Sequence, residues 1–262
     1  MISKAEIKLI RSLNQKKCRM REGLFVAEGS KVVSDLMKVF QPVLLCATKA
    51  WLQAPKEHIK QGTRVVEVSA QELNKISFLQ HPQEVLGLFP TASQQTNNDR
   101  IYPEHELCLG LDSIQDPGNM GTIIRIADWF GIKHIFCSED TVDLYNPKVV
   151  QATMGSIAHV TVSYTSLPDL ILSKKSQYPV YGTMLEGSDI YRQELSSHGL
   201  ILMGNEGRGL SPSVRALVTH SLLIPSFPEG TTMADSLNVA VATAIVCSEF
   251  RRRYTNHHEC TK

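Results

Sequence analysis

Leu111 to Ile132 reads LDSIQDPGNMGTIIRIADWFGI, and the order of residue types within it decides the fold. An apolar strand ends at Leu111, a turn follows at Asp116-Pro117-Gly118-Asn119, and Ile123, Ile126, Ala127 and Phe130 then recur on one face at helical spacing. Strand, polar turn and amphipathic helix in that order form the repeating unit of an α/β sheet. Apolar strands continue on both sides of this unit, at Leu107–Leu111, His134–Cys137, His159–Tyr164, Val180–Met184, Leu200–Met203 and Leu222–Ile224. The spacing predicts a mostly parallel sheet with helices on its faces. Ligands of such sheets sit beyond the carboxyl ends of the strands. The same reading leaves Asn119 at the start of the helix and Arg125 off its apolar face. Free N–H groups and a nearby guanidinium suit a phosphodiester or a developing oxyanion. Taken structurally, Asn119 is a turn residue and Arg125 a surface residue.

Two later stretches fall where ligands are expected. Ile201–Pro212, ILMGNEGRGLSP, leaves a strand through Gly204, Gly207 and Gly209, with Glu206 inside the loop and Ser211-Pro212 starting a helix. The glycines allow close backbone approach to a ligand, although a simple tight turn has the same composition. The stretch has neither the GxxxxGK[ST] of a phosphate-binding P-loop nor the GxGxxG of a dinucleotide fold, so neither triphosphate nor nicotinamide binding follows from it. Leu222–Ile245, LLIPSFPEGTTMADSLNVAVATAI, ends a strand at Pro225 and opens a helix at Ser236-Leu237-Asn238 that is apolar nearly all round through Val246. Such a helix needs burial on several sides, in the core and against a partner subunit. Ser236 suits an N-cap, and a buried Asn238 amide requires partners.

Upstream lies a second α/β unit. Ser30–Phe40 has Val32, Val33, Leu36, Met37 and Phe40 at helical spacing, Val43–Cys46 and Arg64–Val68 read as strands, Ser69–Glu72 as a capping box, and Val85–Phe89 as the closing strand. Pro90 to Pro103 is polar and without hydrophobic period, a linker. These boundaries give residues 1–92, a linker at 93–105, and residues 106–262.

Charge separates the two halves. Residues 1–95 hold 14 Lys/Arg against 8 Asp/Glu, and residues 96–262 hold 13 against 18, within a net charge of +1. Lys4, Lys8, Arg11, Lys16, Lys17, Arg19 and Arg21 face only Glu6 in the first 21 residues, a density suited to phosphate contacts or to a solvated helix face. An Arg-rich, acid-poor start also fits a cleavable transit peptide. The 262 residues, 42% hydrophobic and 20% charged, are those of an ordinary globular chain. No apolar run is long enough for a membrane span or a secretory signal. The six cysteines have no CxxC or zinc-ribbon spacing, which predicts reduced thiols in the cytoplasm and no metal; His257, His258 and Cys260 form the one conceivable metal cluster, in a polar tail.

Taken together, the three motifs, in this order and with Val149–Val162 (VVQATMGSIAHVTV) between the first two, resemble the SpoU/TrmH branch of the SPOUT methyltransferases over about residues 106–250. Arg19–Gly29 (RMREGLFVAEG) is similar to the small substrate-binding domain often fused in front of that branch, which argues against a transit peptide. The resemblance implies a trefoil-knotted parallel-sheet domain preceded by a small α/β, ribosomal-protein-like RNA-binding domain. It also implies a homodimer that uses S-adenosyl-L-methionine to methylate RNA at the ribose 2′-hydroxyl, without a metal or a membrane. Ribosomal RNA is favoured over tRNA, and a non-catalytic RNA-binding assembly factor of the same fold is the reading from another class. Carried over residue by residue, Asn119, Arg125, Glu206, Ser236 and Asn238 are the catalytic set. Thr183, Met184, Gly204, Ile224 and Leu237 hold the cofactor. Phe227–Thr232 departs from the pattern, being longer than the short Gly-rich turn usual there.

Overall fold

Every residue of Leu107–Leu111 is buried, as a strand covered on both faces requires, and the larger sheet is built around it. The computed structural model describes residues 2–54, 59–91, 102–173, 177–228 and 236–259, with side chains up to residue 253. Among the described residues the chain opens with α1 (Lys4–Ser12), α2 (Lys16–Glu22), β1 (Leu24–Glu28), α3 (Ser30–Val39), β2 (Leu44–Ala47), α4 (Lys49–Gln53), β3 (Arg64–Glu67), α5 (Ala70–Ile76) and β4 (Val85–Pro90). It continues with β5 (Leu107–Leu111), α6 (Pro117–Trp129), β6 (His134–Cys137), α7 (Pro147–Ala152), β7 (Thr161–Tyr164), α8 (Leu167–Ser173), β8 (Val180–Asp189), β9 (Gly199–Met203), α9 (Pro212–Arg215), β10 (His220–Leu223) and α10 (Val239–Glu259).

These elements form two units, Met1–Gln94 with Asp143–His159, and Gln95–Val142 with Val160–Lys262. The first contains a segment that the sequence assigns to the 106–262 domain. Its reason is local chemistry: Arg19 forms an ion pair with Asp143, the rings of Phe25 and Tyr145 lie 4.7 Å apart, and Lys31 Nζ donates to the Met154 carbonyl (3.2 Å). Residues 93–101 of the expected linker lie outside the described residues, and Tyr102–Glu104 forms a 3-10 turn.

The first unit has a sheet in the order β1-β4-β2-β3, parallel only between β2 and β3. Reciprocal capping boxes start α1 at Ser3/Glu6 and α5, as expected, at Ser69/Glu72. The basic opening stretch is helical, and Gly23 ends α2 in the left-handed region (φ 64°). One of its charges leaves the surface, and a second, still exposed, is held in place. Arg19 is buried and donates to Asp143 and to the carbonyls of Leu13 and Asn14, while Arg11 donates to the Ser77 carbonyl and lies 5.8 Å from the centre of the Phe78 ring.

The second unit has a wholly parallel sheet in the order β10-β8-β9-β5-β6-β7. β5 and β6 have the bounds read from the sequence. β8 runs five residues beyond Met184, because Gly187 lets it lie against the backbone of Leu222 across a register shift between Ser221 and Leu222; a Cβ at 187 would sit 2.5 Å from the Leu222 carbonyl carbon. In α6, Asp116 caps the helix by accepting from Asn119 N (2.7 Å), and Pro117 occupies the first turn. Its buried stripe is Met120, Ile123, Ile124 and Ala127; Ile126 and Phe130, expected on that face, are half-buried.

α10 packs on α6 and is tied to it twice. Asn238 Nδ2 donates to Asn119 Oδ1 (2.9 Å) at one end, and Arg251 donates to the carbonyls of Phe130 (2.7 Å) and Gly131 (3.1 Å) at the other. The helix starts at Val239, later than expected, and its cap is Asn238, whose Oδ1 accepts from Ala240 N and Val241 N. Asn238 is also exposed rather than buried, so Ser236 is left without a capping role.

Candidate active site

Three loops beyond the carboxyl ends of β5, β9 and β10 carry the predicted polar residues. After β5, Ser113 takes a left-handed conformation (φ 61°), strained for a residue with a Cβ and held from several directions. Its N–H donates to Ser138 Oγ (2.8 Å), its hydroxyl to Asp140 (2.5 Å), and its carbonyl accepts from Asn205 Nδ2 (2.8 Å). Hydrogen bonds from Ser113 and Ser138 hold the Asp140 carboxyl below its ordinary range, and the Arg208 charge acts in the same direction.

The loop after β9 closes on itself. Asn205 and Gly209 exchange backbone hydrogen bonds (2.8 and 3.0 Å), and Asn205 Oδ1 accepts from Gly207 N and Arg208 N. Gly204 is required because a Cβ there would lie 2.3 Å from the Gly209 carbonyl carbon, and Gly209 because its φ is +69°. Gly207 meets no such constraint, so two of the three glycines serve closure of the loop. Buried Asp112 accepts from Ser211 N (2.7 Å) and anchors the start of α9.

Glu206 projects from this closed loop, and Asn119 Nδ2 donates to its Oε1 (2.6 Å). With the bond from Asn238 to Asn119, three residues far apart in the chain form one row, Glu206–Asn119–Asn238. The two amides are oriented by their partners: an Asn119 that gives its N–H to a carboxylate presents its oxygen to Asn238. Glu206 also lines a cavity of about 420 Å³. Thr183, Met184, Gly204, Ile224, Ser236 and Leu237 share that lining, so all five expected cofactor residues meet in one place. Thr183 Oγ1 is already engaged, donating to the Leu202 carbonyl (3.1 Å). Arg208 and Arg215 add positive charge at the wall, Arg215 pairing with Glu186 (3.1 Å).

Arg125 is not gathered with them. It is exposed on α6 and, among the described residues, has no hydrogen-bond or ion-pair partner. It lies six positions beyond Asn119, about 9 Å along the helix axis and roughly 240° around it, so the two side chains leave α6 on different sides. Asn205, Ser113, Asp140 and Asp112 were missed in the sequence. The signal for Asn205 was present, as the one amide between glycines in GNEGRG. The tail set His257, His258 and Cys260 lies outside the residues whose side chains are described, as do residues 229–235 of the longer loop. The five described cysteines are free thiols, and burial pushes those of Cys46 and Cys247 up to about 12.

A parallel sheet with its cavity at the strands' carboxyl ends, walled by a closed glycine loop and a carboxylate–amide row, defines an α/β enzyme that holds a small organic ligand there. Residues 106–248 match the SpoU rRNA Methylase family and residues 4–87 an MRM3-like substrate binding domain; this chain belongs to the SpoU rRNA methylase family. It is 27% identical to the 23S rRNA (guanosine(2553)-2'-O)-methyltransferase RlmP of Bacillus subtilis, over 94% of this chain and 96% of that one. Among solved structures, a putative RNA methyltransferase of the TrmH family from Porphyromonas gingivalis superposes with a TM-score of 0.86 at 37% identity, covering 97% of this chain and 99% of the other. The AdoMet-bound rRNA methyltransferase from Sinorhizobium meliloti does so at 0.84 and 32%, covering 97% and 96%.

Proposed function

We propose that this protein methylates a ribose 2′-hydroxyl in ribosomal RNA, using S-adenosyl-L-methionine. The observation that carries the reading is the row Glu206–Asn119–Asn238, which begins at the wall of the 420 Å³ cavity. That volume lies within the range of sites for ligands of this size. Its wall combines bare backbone at Gly204 with the apolar side chains of Met184, Ile224 and Leu237, as an adenosyl group and a thioether chain require. Thr183, Met184, Gly204, Ile224 and Leu237 would hold the cofactor, with the Ser236 hydroxyl beside them. When bound, it supplies a methyl group on a positively charged sulfur.

The protein's own task is to place a ribose hydroxyl and help it lose a proton. A guanidinium is a cation and a donor without an acceptor, so the part of Arg125 is to favour the forming alkoxide and to engage the neighbouring phosphate. Glu206, with one oxygen engaged by Asn119, keeps the other to accept the proton or to orient the guanidinium. Asn119 and Asn238 fix the two loops on either side of it.

Arg125 points away from its own chain's row, and we read the working unit as a homodimer in which a second copy meets it. Trp129, 85% exposed one turn further along the same face of α6, supports such a partner. The C-terminal chain is read as a trefoil knot. β10 is the outer strand, yet α10 returns across the sheet to α6, the helix that follows β5. Free, buried thiols accord with action in the cytoplasm. The 4–87 match and the rRNA names of the relatives favour ribosomal RNA over tRNA.

The test is to incubate ribosomal RNA and tRNA with the protein and methyl-labelled cofactor, then identify labelled nucleosides by mass spectrometry. Label in a 2′-O-methylated nucleoside of ribosomal RNA is expected. Label on a base, or in tRNA alone, overturns the corresponding part of the reading.

A further inference from the structure

A buried carboxylate stands outside the methyl-transfer machinery. Glu28, the last residue of β1, is 5% exposed, in a strand whose preceding three residues are all buried and apolar. Burial pushes its carboxyl up from the ordinary range, against hydrogen bonds from Ser77 and Phe78 and the charge of Arg11. Keeping an acid there costs stability that an apolar residue would not. Oε2 accepts from the Ser77 hydroxyl and Oε1 from Phe78 N (2.7 Å), which fixes the turn after α5. A carboxylate oxygen accepts two hydrogen bonds, so each retains capacity for another donor.

Glu28 opens onto a cavity of about 550 Å³ within the first unit, separate in its lining from the one holding Glu206. Arg11 and Phe78 line it, with the guanidinium carbon 5.8 Å from the ring centre, and α7 supplies Lys148 and Gln151. The cavity therefore combines a carboxylate, an aromatic ring, a guanidinium plane and a lysine. A carboxylate with two adjacent open acceptor positions pairs with two adjacent N–H donors. Among RNA bases, guanine presents such a pair, N1–H and N2–H, on its Watson–Crick edge. Sequence-reading RNA sites take unstacked bases this way, stacked on aromatic or arginine planes, with cations for the phosphate.

We propose that this cavity receives one unstacked guanine of the RNA substrate, with Glu28 reading its Watson–Crick edge, the paired Arg11 and Phe78 offering one face for its plane to stack on, and Lys148 meeting its phosphate. The inference rests on RNA being the substrate and adds a base-reading subsite remote from the reacting ribose.

The test measures fluorescence polarisation of the full chain with labelled uridine octamers bearing one central guanosine, inosine or adenosine. The guanosine oligomer is expected to bind roughly tenfold tighter than the adenosine one, the discrimination of a bidentate pair, with inosine between because it lacks the second donor. Glu28→Gln should abolish the preference and leave adenosine binding unchanged. If loss of the Ser77 and Phe78 contacts unfolds that variant, Ala152→Phe, which fills the cavity from α7, should remove the preference without touching Glu28. Equal binding of the three oligomers, or a guanosine preference that survives in a folded variant, overturns the subsite. The labelled-nucleoside assay reads the substrate independently: ribosomal RNA still methylated by a parental protein without guanosine preference sinks the subsite alone.

Discussion

Arg19 in α2 and Arg125 in α6 are both arginines in stretches that the sequence marks for RNA, and the structure treats them in opposite ways. Arg19 is buried, forms an ion pair with Asp143 and donates to two carbonyls; Arg125 is exposed and, among the described residues, unpaired. One guanidinium is consumed in holding Asp143–His159 to the first unit. The other remains available to a substrate or a second copy. Charge density thus locates a surface without identifying which of its charges are free, and saturation of the donors, rather than their number, separates architecture from chemistry.

Three variants bear on that contrast. Arg19→Ala leaves Asp143 without its buried partner and should destabilise the fold by about 3–5 kcal/mol, read as a fall in the urea midpoint, with turnover per folded molecule near parental. A shift below about 0.5 kcal/mol would put Arg19 in the same class as a surface charge. Arg125→Ala should do the reverse: methyl transfer falls by about 10²–10³-fold while the thermal shift produced by S-adenosylhomocysteine is retained. Transfer at the parental rate would remove Arg125 from the reaction. The smallest effect is expected from Lys16→Ala with Lys17→Ala, two exposed residues of α2. Stability should stay within about 0.5 kcal/mol, and the slope of log affinity against log salt for single-stranded RNA should fall by about 0.7 for each lysine that meets a phosphate. An unchanged slope would assign the RNA contacts elsewhere on the first unit.

The parallel sheet was legible because buried strands announce themselves as short apolar runs, and β5 and β6 end where the runs end. The face of α6 was not. Ile123 and Ala127 belong equally to a stripe with Met120 and Ile124 or to one with Ile126 and Phe130, and helical period alone does not choose between them. The outer half of β8 was hidden for a related reason: Leu185–Asp189 has no apolar alternation, and its pairing depends on Gly187 fitting against another strand's backbone. At the site, the residues along the cavity could be carried over from the family pattern, yet the role of Asn205 rests on hydrogen bonds to Ser113, Gly207 and Arg208 that composition does not contain. The row from Glu206 to Asn238 joins residues 87 and 119 positions from Asn119, a relation no local period contains.

The two ties between α6 and α10 make the pair a stiff bar about 20 Å long, the length of a 13-residue helix. Asn119 sits at one end and Arg251 grips the other. Loss of the far grip is expected to loosen the amide that orients Glu206, so control over that carboxylate extends to a residue at the opposite end of the bar.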